Sequence, residues 1–289
     1  MIKVEHIAVT GWEAAIRGMR NPKNSWDRID SYPAVNCGKC GRIEREGFCE
    51  PKDHDCSEFE EYYIGPNDEK LMKSLIQGGP VHAKFRRMII VTMDITAPLY
   101  WWKEFDTYKV GTVANSCSTM HKIHAKEFTL DDFSHEYLID CERYAEDEEV
   151  LVLATGHVFD ILGNFLNDHP DVYCGGEQLL HLTINTLNFY RERFNQIGQR
   201  LKEDKRLTDA ERKHLTAQQK RYWWQLIQLL PSSYNQKRTV QLSYETLANM
   251  VEWRSDHKLD EWRELMQLCR TELPHSWIFT KDRGDDDAN

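Results

Sequence analysis

The fold is decided by the stretch Arg87-Met88-Ile89-Ile90-Val91-Thr92-Met93-Asp94-Ile95, whose β-branched residues predict a buried strand. Pro98 then suits a first helical position, and apolar residues recur at helical spacing as far as Phe105. The next segment, 111–120, is small and polar, so its backbone is able to approach a ligand closely. The sequence therefore predicts a strand, a helix and a ligand-facing loop in direct succession.

Strand and helix patterns extend outward from this centre. Alternating charged and apolar residues over 2–9 predict a first strand. Helical periodicity predicts two long helices, at about 177–202 and 209–229, which normally pack as a hairpin. Two shorter helices are predicted at about 244–254 and 258–272. Mixed strands and helices of this kind indicate an α/β (α+β) protein.

Composition and charge restrict the class of protein. The chain has 289 residues, of which 40% are hydrophobic, as expected for a folded protein. Its 47 acidic and 37 basic residues give a formal charge of −10, which disfavours extensive nucleic-acid binding. No apolar run approaches the roughly 20 residues of a membrane-spanning helix. The N-terminus also lacks the pattern of a signal peptide, so we expect a cytoplasmic location without a membrane partner.

Four cysteines lie close together in the segment 30–65, which has many charges and little periodicity. The spacing Cys37-x2-Cys40-x8-Cys49-x6-Cys56 supplies four thiolate ligands and predicts a structural zinc site in a cysteine-rich insertion. A complete set of four thiolates leaves no open position for catalysis. His54 is an alternative fourth ligand in place of Cys56. A Cys-x-x-Cys disulfide switch is a further alternative, but it leaves the second pair of cysteines unexplained.

Common nucleotide-binding and hydrolase motifs are missing from the sequence, including both phosphate-binding glycine loops, H-E-x-x-H and G-x-S-x-G. A set of polar residues lies instead beside apolar elements. Each of them allows an ordinary capping, snorkelling or surface role as well as a role in ligand binding. These residues are Arg17, Arg20, Asn21, His82, Lys103, Tyr108, Lys109, Asn115, Cys117, Asn249 and Arg254.

The central region resembles that of flavin-dependent thymidylate synthases. Without a gap, residues 82–120 follow the family's order of a histidine, a strand, an Ala-Pro that opens a helix, and a signature loop. Near the C-terminus, Leu230-Pro231 is followed, at the family's spacing, by Ser243, Asn249, Arg254, Asp256 and His257. Near the N-terminus, the segment 15–20 resembles the family's Ala-Val-Arg-x-x-Arg. The resemblance covers 1–29, 66–122 and about 176–279, which leaves 30–65 and an acidic and apolar segment, 123–175, as additions.

The chain departs from the family's pattern around the signature loop. Thr107-Tyr108-Lys109 stands where the family has Arg-His-Arg. Asn115, Cys117, Thr119 and Met120 stand where the family has Glu, Ser, Arg and Tyr. Cations for the phosphates would then come from other positions, for instance Arg17, Arg20, Lys103, Arg238 or Lys84.

The resemblance implies a single domain, 1–289, in which an antiparallel-containing sheet is flanked by long helices. It implies thymidylate synthesis, in which C5 of a deoxyuridine monophosphate-type nucleotide is methylated with FAD, methylenetetrahydrofolate and NADPH in a homotetramer. One alternative is a related one-carbon transfer, such as hydroxymethylation of a pyrimidine nucleotide for DNA modification. Another alternative is a homologue that binds a nucleotide without catalysis.

The resemblance also implies roles for individual residues. Arg254 would stabilise negative charge on the pyrimidine carbonyl oxygen, although an ordinary surface ion pair with Asp256 or Asp260 also explains it. Cys117 replaces a serine, and its thiolate is able to attack C6 of the ring, but a small residue packed close to the ligand is the alternative. The implied cofactor-binding set is His82, Lys84, Tyr108, Lys109, Ser243, Asn249 and His257. The implied substrate-binding set is Arg17, Arg20, Lys103, Glu104, Asn115, Ser116 and Ser118.

Overall fold

The computed structural model describes residues 2–37, 43–44, 58–138, 150–152, 157–160, 165–168 and 176–280. Cys40, Cys49 and Cys56 lie outside the described residues, as does most of the segment 139–175. Within the described ranges, no group of three or more His, Cys, Asp or Glu residues is arranged to hold a metal ion. No helix in these ranges is long and apolar enough to cross a membrane.

Strands and helices are mixed along the chain, as predicted for the α/β class. In chain order the strands are β1 (Lys3–Thr10), β2 (Tyr32–Cys37), β3 (Ile43–Glu44), β4 (Glu58–Tyr63), β5 (Ile90–Pro98), β6 (Thr112–Ser116), β7 (Val150–Val152), β8 (His157–Asp160), β9 (Phe165–Asp168) and β10 (Asn235–Ser243). The α-helices are α1 (Trp12–Arg20), α2 (Pro66–Gln77), α3 (Leu99–Phe105), α4 (Gly176–Glu203), α5 (Asp209–Leu229), α6 (Tyr244–Arg254) and α7 (Asp260–Glu272).

The chain divides into two compact units. The first consists of 97–103 and 116–237, and the second consists of 2–96, 104–115 and the residues from 238 onward. The second unit contains most of a four-stranded sheet with the order β1-β5-β10-β6. In this sheet β1 runs antiparallel to β5, with Lys3 opposite Thr96. The antiparallel sheet expected from the resemblance is therefore present.

The central strand β5 is buried, as its β-branched residues predict. Val91, Met93 and Ile95 point to one face and are almost completely inaccessible to solvent. The following helix begins at Leu99 and not at Pro98, which ends the strand. In the first unit, the first helical amide, that of Leu99, donates to the carbonyl oxygen of Tyr234 at 3.0 Å. The segment 111–120 is also more regular than expected, because part of it forms β6 at an edge of the sheet.

The first unit is built around the predicted helical hairpin of α4 and α5, which pack against each other. Thr208 caps α5 in a capping box: its hydroxyl accepts from the Glu211 amide at 3.3 Å, and the Glu211 carboxylate accepts from the Thr208 amide at 2.9 Å. Both helices contribute to a buried apolar cluster, which contains Ile123, Phe128, Phe133, Leu180, Ile184, Leu187 and Leu226.

A buried ion pair connects α1 with α2 in the second unit. Arg20 donates from Nε to Asp68 Oδ1 at 2.6 Å, and both side chains are almost fully buried. The other oxygen of Asp68 accepts from the Ser31 hydroxyl at 2.7 Å and from the amides of Asp30 and Ser31 at 3.0 and 3.1 Å. One carboxylate therefore joins two helices and the segment before β2.

The Asp68 contacts predict an acid-sensitive contribution to stability. Burial alone raises the pKa of this carboxyl, but the hydrogen bonds from Ser31 and Arg20 outweigh it, so the folded pKa lies below the ordinary value. A lowered folded pKa adds stability above the unfolded pKa of about 3.9, and this stability is lost as the pH falls through the folded pKa. We expect Asp68→Asn to lower the free energy of unfolding by about 3–5 kcal/mol at pH 7 and to weaken its decline in acid.

Urea denaturation between pH 3 and pH 7 measures both effects. The matched control on the same helix is Glu69→Gln, because Glu69 forms an exposed i,i+4 pair with Lys73 at 2.7 Å. Such a pair contributes at most about 0.5 kcal/mol. Equal effects of the two substitutions at pH 7 would contradict a structural role for the buried pair.

Candidate functional site

Four of the predicted site residues come together in the second unit, around the guanidinium of Arg254. Arg254 is the last residue of α6, and its Nε donates to the hydroxyl of Tyr108 at 2.8 Å. Its Nη1 donates to Oε2 of Glu104 at 3.1 Å. Nε2 of His257 lies 3.3 Å from the same carboxylate oxygen. Two nitrogens of the guanidinium are thus held by Glu104, in the last turn of α3, and by Tyr108, which follows this helix.

The local sequence explains how these residues meet. Phe105 ends α3 and is fully buried, so the helix end is anchored and Glu104 is left half-buried beside it. Two turn hydrogen bonds follow, from Thr107 to the Glu104 carbonyl and from Tyr108 to the Phe105 carbonyl, each 3.0 Å long. The chain therefore reverses directly after α3. This reversal places Tyr108 on the same side as Glu104.

Two aromatic rings lie close to the Arg254 guanidinium. Its Cζ lies 5.0 Å from the centroid of the Trp262 ring and 5.5 Å from that of the Tyr108 ring. Trp262 is fully buried near the start of α7, and it packs 5.8 Å from Tyr108 and 6.3 Å from Phe105 between ring centroids. A cation over aromatic faces at these distances is stabilised by the ring quadrupoles.

Hydrogen bonding determines the tautomer of His257. The backbone amide of Leu259 donates to Nδ1 of this imidazole at 3.1 Å. Because an amide nitrogen only donates, Nδ1 acts as the acceptor, and the neutral ring carries its proton on Nε2. That nitrogen lies 3.3 Å from Oε2 of Glu104. His257 and Arg254 therefore both contact the same oxygen of the Glu104 carboxylate.

The cluster presents a donor beside an acceptor. Glu104 Oε1 and Arg254 Nη2 make no hydrogen bond with the described residues, and the Glu104 side chain is 38% exposed. The Tyr108 hydroxyl accepts from Arg254, so its own proton stays available. Arg254 and Glu104 neutralise each other in charge. Such an arrangement suits a neutral polar ring edge that carries adjacent hydrogen-bonding atoms.

The other predicted site residues divide into engaged and free side chains. Arg20 is committed to Asp68, Arg238 pairs with Asp106 at 2.7 Å, and Ser243 is the buried N-cap of α6, accepting from the Thr246 amide at 3.2 Å. The Ser118 hydroxyl accepts from the amides of Met120 and His121. The remaining side chains are exposed and make no hydrogen bond or ion pair with the described residues: Arg17, His82, Lys84, Lys103, Lys109, Asn115, Ser116 and Asn249.

Cys117 belongs to the first unit, where its thiol is exposed. Its backbone is held on both sides, since its amide donates to the Lys237 carbonyl at 2.9 Å and its carbonyl accepts from the Gln236 side chain at 2.8 Å. Cys269 differs, because burial raises the pKa of its thiol to about 12. No hydrogen bond within the described residues joins the Cys117 thiol to a histidine. His124 instead packs 4.5 Å from the Phe194 ring.

Sequence reasoning missed Trp262 as a member of the cluster. The segment 258–272 is predicted only as a helix, and no role follows from that pattern. A usable signal was present, because Trp262 is the one large apolar residue in the charged run Asp260-Glu261-Trp262-Arg263-Glu264, which follows soon after Arg254 in the sequence.

Comparison with known proteins finds similarity at the level of solved structures. No family model and no curated protein matches the sequence. The chain is similar to Thymidylate Synthase X from Helicobacter pylori with FAD and dUMP, with a TM-score of 0.49 and 13% identity over 96% of this chain and 97% of that chain. A second structure of the flavin-dependent thymidylate synthase from the same organism, complexed with FAD and dUMP, gives a TM-score of 0.48 and 13% identity over the same shares of the two chains.

The chain is also similar to a UMP/dUMP methylase, PolB, from Streptomyces cacaoi bound with 5-Br dUMP. The TM-score is 0.45, with 12% identity over 94% of this chain and 89% of that chain. The two Helicobacter structures represent the family that the sequence resembles. Any chemistry that this chain performs depends on the side chains that it carries itself.

Proposed function

We propose that this chain is a flavin-dependent methyltransferase that converts a dUMP-type nucleotide to its C5-methylated product. Methylenetetrahydrofolate is the one-carbon donor, NADPH is the reductant, and the protein acts as a homotetramer. One observation supports the proposal above all. Arg254 donates to Tyr108 and Glu104, and His257 lies 3.3 Å from Glu104, so four residues from two distant segments, predicted for catalysis, substrate binding and cofactor binding, form one cluster.

The charge balance of the cluster supports binding of the pyrimidine ring there. A uracil edge carries a carbonyl oxygen beside an N–H, which complements the Arg254 donor beside the Glu104 acceptor. The paired charges leave little attraction for a phosphate at the same place. In the second unit, the exposed cations Arg17, Lys84 and Lys109 have no ion-pair partner among the described residues, so they are available for phosphate groups.

The available side chains also fit a flavin. Lys84 and Lys109 supply cations for its pyrophosphate, while the His82 ring and the Asn249 amide supply hydrogen bonds, and all four are exposed. Ser243 contributes less, because its hydroxyl is already the cap of α6. When bound, the flavin supplies the redox and one-carbon carrier chemistry.

Arg254 acts on the charge that develops in the ring. Making C5 nucleophilic moves negative charge onto the neighbouring carbonyl oxygen, and a positioned guanidinium stabilises that charge through charge-assisted hydrogen bonds. Glu104 and Tyr108 hold the guanidinium in one orientation before the ring arrives. The site therefore needs little reorganisation during the reaction.

Turnover by wild type and Arg254→Ala tests this function. Freshly purified wild type should be yellow with bound FAD and should convert dUMP to thymidylate when both co-substrates are added. Loss of a donor to a developing oxyanion costs about 10²–10³ in kcat, so Arg254→Ala should lose turnover to that extent. The Arg254 side chain is 22% exposed, and its ion pair and ring contacts contribute on the order of 1–2 kcal/mol, so Arg254→Ala should lower the melting temperature by only a few degrees.

The matched control is Arg87→Ala, since Arg87 pairs with Glu245 at the protein surface just as Arg254 pairs with Glu104. It should keep its activity. Mass spectrometry of the product separates methylation from hydroxymethylation, and nucleotide binding without product would indicate a non-catalytic homologue. A colourless protein that fails to bind added FAD would refute a flavoenzyme.

Cys117 distinguishes two chemical routes. The flavin route needs no enzyme nucleophile, so we expect Cys117→Ser to retain most of the activity. A covalent route would lose several orders of magnitude, because a serine hydroxyl is hardly ionised near neutral pH without an adjacent base. Turnover of the variant and mass spectrometry of wild type treated with 5-fluoro-dUMP provide the measurement. A stable adduct on Cys117 together with an inactive serine variant would establish the covalent route.

We also propose that Cys37, Cys40, Cys49 and Cys56 hold one structural zinc ion. The register of β2 and β4 supports this, because Cys37 lies opposite Glu58, two residues after Cys56 in the chain. Elemental analysis should find about one zinc per chain in protein purified without chelator. Cys40→Ser should lose the zinc but keep FAD binding, since the site lies in an insertion. Zinc-free protein with intact FAD binding from the outset would refute the site.

A further inference from the structure

We propose that Trp262 is the positioning residue of Arg254: together with Tyr108 it forms an aromatic clamp that holds the guanidinium ready for the pyrimidine ring. The identity of the ligand, a pyrimidine ring, rests on the proposed function. The geometry of the clamp does not depend on that function. The sequence resemblance assigns Trp262 no role. The Tyr108 ring centroid lies 5.5 Å from the Arg254 Cζ, and the Tyr108 hydroxyl accepts the hydrogen bond from Nε.

The indole of Trp262 is fixed by its surroundings. The side chain is fully buried, and its ring lies nearly parallel to that of Phe105, with an interplanar angle of 16° and 6.3 Å between centroids. Tyr108 packs against it at 5.8 Å with an angle of 59°. Because Phe105 belongs to α3 and Trp262 to α7, two helices hold the ring in place. The aromatic surface is therefore formed before any ligand binds.

The clamp and the hydrogen bonds restrain different motions of Arg254. Hydrogen bonds to Tyr108 and Glu104 act along the edges of the guanidinium and fix its rotation within its own plane. The Trp262 and Tyr108 rings lie 5.0 and 5.5 Å from Cζ and restrict its movement away from that position. A flexible side chain that is ordered in advance loses less conformational entropy when a ligand binds.

Simple packing does not account for this choice of residue. On the same helix, Leu265, Met266 and Cys269 are buried without any aromatic ring. A leucine at this position would also fill an apolar site, but it would offer no π face to the cation. The position of an indole beside Arg254 thus predicts an effect on ligand binding in addition to its effect on folding.

A double-mutant cycle between Trp262 and Arg254 tests the clamp, with dUMP as the ligand and calorimetry as the measurement. We expect Trp262→Leu to weaken dUMP binding about 30-fold, which corresponds to a desolvated cation–π interaction of about 2 kcal/mol. Trp262→Phe keeps an aromatic face and should recover most of the affinity. In the Arg254→Ala background, Trp262→Leu should change the affinity less than about twofold.

Two further variants keep the test decisive. Met266→Ala removes a buried side chain from the same helix, so it should lower stability and leave dUMP affinity unchanged. If Trp262→Leu does not fold, Tyr108→Leu takes its place in the cycle, because Tyr108 is only half-buried, and Tyr108→Phe is its control, since it lacks the hydroxyl but keeps the ring. Equal losses of dUMP affinity in the wild-type and Arg254→Ala backgrounds would overturn the clamp.

The same cycle in urea denaturation separates the clamp from the proposed function. Coupling between positions 254 and 262 should change the unfolding equilibrium constant about tenfold, whether or not a nucleotide is present. Coupling in unfolding together with no dUMP binding by wild type would refute the proposed function and leave the clamp standing. Absence of coupling in unfolding would refute the clamp even where dUMP binds.

Discussion

The candidate site depends on the burial of Phe105 at the end of α3. Removal of an aromatic side chain from water stabilises this helix end by roughly 1.5–3 kcal/mol, which exceeds the contribution of an exposed ion pair. The chain reverses immediately afterwards, so Glu104 and Tyr108 lie on the same side. Trp262 stacks on the same ring from α7. One apolar contact therefore determines where the polar groups meet Arg254.

Charge pairing determines which cations remain available to a ligand. The chain is acidic overall, with a formal charge of −10, so a carboxylate is close at hand for many of its arginines. Arg20 and Arg238 are engaged by Asp68 and Asp106, whereas Arg254 shares Glu104 with His257. Pairing with a half-exposed carboxylate leaves Arg254 reachable, while pairing with the buried Asp68 removes Arg20 from any surface. Burial, and not residue type, thus separates the structural Arg20 from Arg254, which we propose as the binding arginine.

The contacts of Arg254 give a physical explanation for one departure from the family's Arg-His-Arg motif. Tyr108 stands at the histidine of the family's Arg-His-Arg, and here its hydroxyl and its ring both contact Arg254. A phenol replaces an imidazole, and Thr107 removes the positive charge on one side while Lys109 keeps one on the other, which lowers the affinity for phosphate at this point. The cluster is consequently better suited to a ring edge than to an anion. Under the proposed function, exposed lysines elsewhere in the unit supply the charge that a phosphate requires.

The sequence by itself determined the elements with strong local signals: the buried strand β5, the long helices α4 and α5, and the shorter α6, because periodicity and capping residues act within a few positions. It also indicated Arg254, Tyr108, Glu104 and His257 as site residues. Only the tertiary structure decided that Arg20 is buried in an ion pair, that Ser243 is used as a cap and that Trp262 contacts Arg254. These facts depend on contacts between residues far apart in the chain, which neither local spacing nor residue type encodes.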